Sequence, residues 1–198
     1  MRFTGAGACH AAGSLWISLC LLIVTGAAQN EKPTEYQVKA AYLSNFGRFV
    51  EWPGAVEQPA GAASEPAGNP PADPFNICVL GTDPFGPALD RQLAGENINR
   101  APVAPKRIAK VREAAGCRIL FIASSEEGRL KAILAGVSNA GILTVGESPN
   151  FAKRGGMIQF VLDGNRVRFE VNLAAVQRAR LNLSSELTKL AIVVRREP

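Results

Sequence analysis

The chain predicts an α/β fold: a single α/β/α layered domain with an N-terminal helix and a mixed, mostly parallel sheet that ends in an antiparallel hairpin. Three observations predict it. From residue 75 to 145, short apolar runs rich in β-formers alternate with segments of helical spacing, the pattern of strands joined by crossover helices. Ahead of them, Glu35–Trp52 places Val38, Ala41, Tyr42, Phe46, Phe49 and Val50 on one stripe at helical period. Near the end, Arg166–Val171 alternates strictly: Val167, Phe169 and Val171 share one face, Arg166, Arg168 and Glu170 the other.

Each element carries its own start or stop signal. Thr34 and Gln37 fit a capping box at the front of the first helix, and Pro53 stops it. The segment 57–74 is rich in Pro, Ala and Gly with almost no large apolar side chain. It reads as a loop or linker inserted into the domain. Phe75–Leu80 is a buried strand. Asp83 and Pro84 are the N-cap and first position of a helix to about Leu93. Pro102–Ile108 is an edge or irregular strand because it contains Pro105. Arg118–Ala123 is a buried strand, and Ser124 with Glu127 makes a capping box for a helix to about Val137. Gly141–Val145 is a short strand, and Asn150–Arg154 is one helical turn. Met157–Leu162 pairs with Arg166–Val171 across the turn Asp163-Gly164-Asn165. Asn172 caps a helix over Leu173–Ala179, and Ser184 or Ser185 caps a last one.

The N-terminus has the layout of a secretory leader. Arg2 precedes the apolar run Leu15–Val24 and the small residues Gly26-Ala27-Ala28. That run is too short to span a bilayer, which needs about 20 residues. Leu19 before Cys20 does not fit a lipid-attachment signal. Residues 1–28 are therefore expected to be a signal peptide, and residues 29–198 the exported domain; the family resemblance given below implies that it resides in the periplasm. The net charge of +5 falls by one with Arg2, and so mild an excess argues for no nucleic-acid partner.

Losing the leader also limits the chemistry. The single histidine, His10, goes with it, which removes Ser-His-Asp and Cys-His catalysis and the usual zinc sites. No metal or cofactor is expected. Of the four cysteines, Cys9 and Cys20 go too, leaving Cys78 and Cys117. A lone pair in an exported protein is most simply a disulfide, either a structural staple or a redox-sensitive bond. Without a Cys-x-x-Cys, thiol oxidoreductase chemistry has no support. The turn Gly81–Gly86 sits where phosphates often bind, yet Asp83 opposes an anion and no Walker lysine is present. The basic residues Arg100, Lys106, Arg107, Lys110, Arg112 and Arg118 read as a solvated face or as a site for an anionic ligand. Glu147, Asp163 and Glu170 show no spacing that pairs carboxylates for acid–base work. Arg168 and Glu170 on a wet strand face, with Val176 and Arg178 on the next helix, form a candidate docking surface; exposed charge alone gives the same pattern.

Several segments together resemble the YfiR family of exported bacterial proteins. They are Glu35–Leu43 with Phe49–Pro53, Asn76–Gly81, Cys117–Ile122, Leu143–Gly146, Gly155–Ile158 with Phe169–Leu173, and Lys189–Ala191. Their order and spacing carry the resemblance, and no single motif does. It implies an α/β domain, often dimeric, that represses a membrane-bound diguanylate cyclase by binding its periplasmic sensor domain. That repression lowers cyclic di-GMP and biofilm formation. It also implies sequestration by an OmpA-like outer-membrane lipoprotein and a disulfide between the positions of Cys78 and Cys117. Glu170, Val176 and Arg178 fall where the family has residues implicated in protein or ligand contacts. A second cysteine pair found in characterised members has no counterpart within Glu147–Gln159. The expected function is thus a non-enzymatic repressor of a membrane cyclase or other membrane sensor. The alternative is a periplasmic binding protein for a small anionic or nucleotide-like ligand.

Overall fold

Thr34 fixes where regular structure begins. In the computed structural model, which describes residues 32–52 and 73–195, its hydroxyl accepts from the Gln37 amide at 3.3 Å. The Gln37 side chain accepts from the Thr34 amide at 2.7 Å, completing the predicted capping box. Helix α1 runs Glu35–Phe49, three residues shorter than its apolar stripe suggests. Val50 turns extended at φ −116°, ψ 132°, and Pro53 disfavours helix at Trp52. The freed backbone of Val50–Glu51 (β1) instead pairs antiparallel with Asn182–Leu183 (β9). The leader 1–28 and most of the 57–74 segment lie outside the described residues.

The remaining elements follow in order. They are β2 (Phe75–Leu80), α2 (Pro87–Leu93), β3 (Asn97–Ile98), β4 (Ala101–Ile108) and β5 (Cys117–Ile122). Next come α3 (Leu130–Val137), β6 (Leu143–Gly146), β7 (Ile158–Asp163) and β8 (Arg166–Asn172). Helices α4 (Leu173–Arg178) and α5 (Ser185–Leu190) flank β9, and β10 (Val193–Arg195) closes the order. Eight strands form one sheet in the order β10-β8-β7-β6-β5-β2-β4-β3. The run β4-β2-β5-β6-β7 is parallel, β7 and β8 form the predicted antiparallel hairpin, and β3 adds antiparallel to β4. The chain leaves β2 to build β4 on one side, then returns to build β5 on the other. Such a reversal opens a crevice at the carboxyl ends of β2 and β5.

Two helix starts differ from expectation, each because a side chain is engaged elsewhere. Asp83 does not cap α2. Its carboxylate accepts from the Phe85 amide at 2.8 Å and from Arg107 Nε at 2.9 Å, and α2 starts at Pro87 behind Gly86 at φ 51°. Ser124 and Glu127 make no capping box. Residues Ser124–Arg129 form a 3-10 turn before α3, while Ser124 Oγ lies 3.4 Å from Glu147 and Glu127 pairs with Arg154 at 3.2 Å. Strand β4 is continuous, and because β3 covers only its first two residues it is the sheet edge from Val103 onward, as expected. Pro105 is tolerated because β3 pairs only with Ala101 and Pro102. The Val103 amide points outward to Glu96 O, so the donor that Pro105 lacks would face an unpaired edge.

Apolar side chains collect on both sheet faces. On one, α1 lays Tyr42 and Phe46 against Phe160 and Phe169, with ring centroids 5.3–6.0 Å apart; such aromatic pairs add about 0.5–1.5 kcal/mol each beyond their buried area. On the other, α3 covers Cys78, Leu80, Leu120 and Ile122. Phe151 fills this second cluster so closely that a Cβ at Gly156 would lie 2.0 Å from its ring and one at Gly146 2.5 Å.

The disulfide joins Cys78 and Cys117 as the sequence suggests, with Cα atoms 5.9 Å apart. The register supplies the reason. Asn76 faces Cys117 but Ile77 faces Ile119, so Arg118 is an extra, bulged residue. The bulge brings Cys117 one position along the sheet, onto the diagonal and the face of Cys78.

Candidate functional site

The two faces of the sheet are not covered alike. The α3-side cluster draws its buried side chains from β2, β4, β5, α3 and their loops, with none from β7, β8 or β10. On those three strands the register aligns Val161 with Arg168, and Glu170 with both Gln159 and Val193. Aligned neighbours share a face. Val161, Arg168, Glu170 and Arg195 are only half-buried, and Val193 is exposed. Arg195 donates to Glu170 at 3.2 Å, while its Nε is buried with no partner among the described residues. Nearer the 149–155 turn the face closes: Gln159 accepts from the Ala152 amide and Asn172 donates to the Ala152 carbonyl.

The structure therefore brings together Arg168 and Glu170, but not all four predicted docking residues. Val176 is 1 % exposed and belongs to the α1-side core, so it supports α4 and offers no side chain to a partner. Arg178 is exposed on the last turn of α4 and makes no contact with Arg168 or Glu170 among the described residues. Sequence reasoning missed Leu190, Ile192 and Val193, which are 59 %, 39 % and 36 % exposed; of these, Val193 shares the face of Glu170. Their signal was the apolar run 190–194 directly after a short capped helix.

A second feature missed by the sequence is a buried ion cluster. Lys39 is 3 % exposed, on the face of α1 that meets the carboxyl end of β6. Its Nζ donates to Glu35 and to Glu147. Glu147 also lies 3.4 Å from the Tyr36 hydroxyl and from Ser124 Oγ. The ammonium stands 4.7 Å from the Tyr36 ring centroid, a cation–π distance. Burial would lower the Lys39 pKa, but its hydrogen bonds to Glu147 and Glu35 outweigh that, and the net shift is upward. Burial, followed by the Glu147 charge, raises the Tyr36 pKa. Glu147 thus serves a lysine and is not half of a carboxylate pair.

Two hollows flank the carboxyl end of β2. One, about 440 Å³, is lined by Gly81, Thr82, Arg107, Ile108, Ala109, Ser125 and Glu126. Here three amides of the Gly81–Gly86 turn, which the sequence argues against as a phosphate site, are engaged within the protein: Gly81 donates to Ile108 O, Thr82 to Ser125 Oγ, and Phe85 to Asp83. Arg107 is held by Asp83, by both oxygens of Asp90, and by Gly86 O. Its hydrogen bonds hold the Asp90 carboxyl below the usual range. The other hollow, about 280 Å³, is lined by Leu80, Lys110, Val111, Arg112, Arg129, Ala132 and Ile133. Among the described residues, no group of three or more His, Cys, Asp or Glu could hold a metal ion, and no helix is long and apolar enough to cross a membrane.

Likeness to solved structures is weak. A conserved domain protein from Vibrio cholerae O1 biovar El Tor aligns at 10 % identity and TM-score 0.47, over 61 % of this chain and 54 % of that one. An ABC domain in complex with L-Trp from Streptococcus pneumoniae aligns at 10 % identity and TM-score 0.44, over 61 % and 55 %. The chain thus spans about half the length of either. No curated protein matches. The family model described as DUF4154, YfiR/HmsC-like, matches residues 36–192. That match takes in α1, the sheet through β8, the ion cluster and both hollows: the chain belongs to the YfiR/HmsC-like family.

Proposed function

We propose that this protein is a non-enzymatic periplasmic regulator that binds the outward-facing domain of an inner-membrane signalling protein, most simply a diguanylate cyclase, and represses it. Family membership supports a regulatory role of this kind. The observation that carries the docking part is the half-open sheet face, where half-buried Arg168 and Glu170 share a face with exposed Val193. Apolar contacts ringed by charge make a usual protein-binding patch. A residue that only packs a core would not be left half-wet in the middle of a sheet.

An OmpA-like outer-membrane lipoprotein competing for the same patch, and a second copy of this chain forming a homodimer, extend the proposal. Captures from detergent-solubilised membranes under oxidising conditions test it. The wild type is expected to recover a membrane signalling protein, and Arg168→Glu with Glu170→Arg to lose it. Recovery of none, or equal recovery by the charge-reversed variant, would refute docking at this face. Sedimentation of the isolated protein distinguishes a second copy from a foreign partner.

A further inference from the structure

We infer that the hollow between the carboxyl end of β2, residues 110–112 and α3 binds a small organic anion with a compact apolar body, of the class of aryl phosphates and aryl carboxylates. The inference is independent of the docking proposal. It turns the sequence-level alternative, an anionic ligand somewhere along the basic run, into a stated site.

Position is the first argument. The hollow opens at the carboxyl end of β2 on the α3 side, next to the crevice that Gly81, Thr82, Ser125 and Glu126 line where strand order reverses; open α/β sheets bind ligands around such points. Lining is the second. Leu80, Val111, Ala132 and Ile133 supply an apolar wall, and Lys110, Arg112 and Arg129 are its charged members. No carboxylate lines it. Arg129 is paired with Glu126, but among the described residues Lys110 and Arg112 have no acidic partner. Two unneutralised cations on one apolar hollow attract an anion.

Size sets the ligand class. A cavity of about 150 Å³ holds a benzene ring, so about 280 Å³ accommodates one ring with a phosphate or carboxylate attached. The larger neighbouring hollow is the poorer anion site. Glu126 lines it, and its Arg107 already carries two aspartates.

Calorimetric titration of the purified protein with phenyl phosphate, benzoate, inorganic phosphate and phenol tests the site. Phenyl phosphate and benzoate are expected to bind saturably, with phenol and inorganic phosphate at least tenfold weaker. Lys110→Gln with Arg112→Gln is expected to weaken phenyl phosphate binding at least tenfold without changing the melting temperature. Ala132→Met keeps the cations but plugs the hollow, and is expected to abolish binding; it covers the case in which the double variant fails to fold. Absence of saturable binding, unchanged binding in either folded variant, or inorganic phosphate binding as tightly as phenyl phosphate would overturn the inference. Amide shifts confined to Leu80, Val111 and Ile133 in an NMR titration locate the ligand, and shifts confined to the 166–172 face would place it elsewhere and reject this site.

Discussion

The half of the sheet under α3 and the half formed by β7, β8 and β10 are one continuous hydrogen-bonded surface with opposite chemistry. Under α3, the inward residues are Cys78, Leu80, Leu120 and Ile122, all within 1 % of full burial, and a disulfide crosses the two central strands. Beyond β6 the corresponding positions are Val161, Arg168, Glu170, Val193 and Arg195, none fully buried. Six register pairs join β7 to β8, as six join β2 to β4, so the want of strand pairing does not explain the difference. It lies in what covers the side chains: an eight-residue helix over one half and, among the described residues, no helix over the other. One half is invested in stability; the other is left available.

The largest test of this contrast is the covered half. Cys78→Ser with Cys117→Ser removes a link spanning 39 residues and is expected to cost about 4 kcal/mol in the chain-entropy account, read as a lower denaturant midpoint. Next is the ion cluster, which fastens α1 to the end of β6. Lys39→Met leaves Glu147 without its cation and is expected to cost about 3 kcal/mol, as loss of one partner of a buried pair does, and the double variant Lys39→Met with Glu147→Leu to recover much of it. The same cluster predicts a pH dependence. Lys39 and Tyr36 both hold protons more tightly when folded than at their ordinary values of 10.5 and 10.0. Their contribution is complete below about pH 10 and is lost as pH rises through the folded values. Melting temperature should therefore fall more steeply above pH 10 in the wild type than in Lys39→Met.

Smaller effects are expected on the open half. Glu170→Gln breaks a half-exposed pair with Arg195 and is expected to cost under about 1 kcal/mol. Val193→Ser should move the melting temperature least of all, yet lower partner capture. A large loss of stability from either would mean that this half is core in disguise, and the contrast would fail.

Much of the architecture was legible because it is written locally. The Thr34–Gln37 box, the 166–171 alternation and the caps at Asn172 and Ser184 each span a few residues, and each formed as expected. The misplaced boundaries have the opposite origin. Asp83, Ser124 and Glu127 read as caps but were claimed by Arg107, Glu147 and Arg154, partners 23 to 27 residues away whose approach only the fold decides. Lys39 hides for the same reason: a lysine in an amphipathic helix reads as solvent-facing, and its partner Glu147 is 108 residues distant. Val176 shows the limit of a surface inferred from periodicity, since a six-residue helix can turn an apolar side chain inward without leaving a pattern to count.

Pro105 has a further consequence for the sheet as a template. At the β4 end, the edge that β3 leaves unpaired lacks a donor at the middle of its span, so a strand laid against it meets a gap in the ladder. At the β10 end, the Ile192 amide bonds to β8, so by alternation those of Val193 and Arg195 are the donors on the open side. The molecule is therefore a sheet with one blunted end and one receptive end, and any additional strand, from a second copy or from another protein, has a direction built in from which to join.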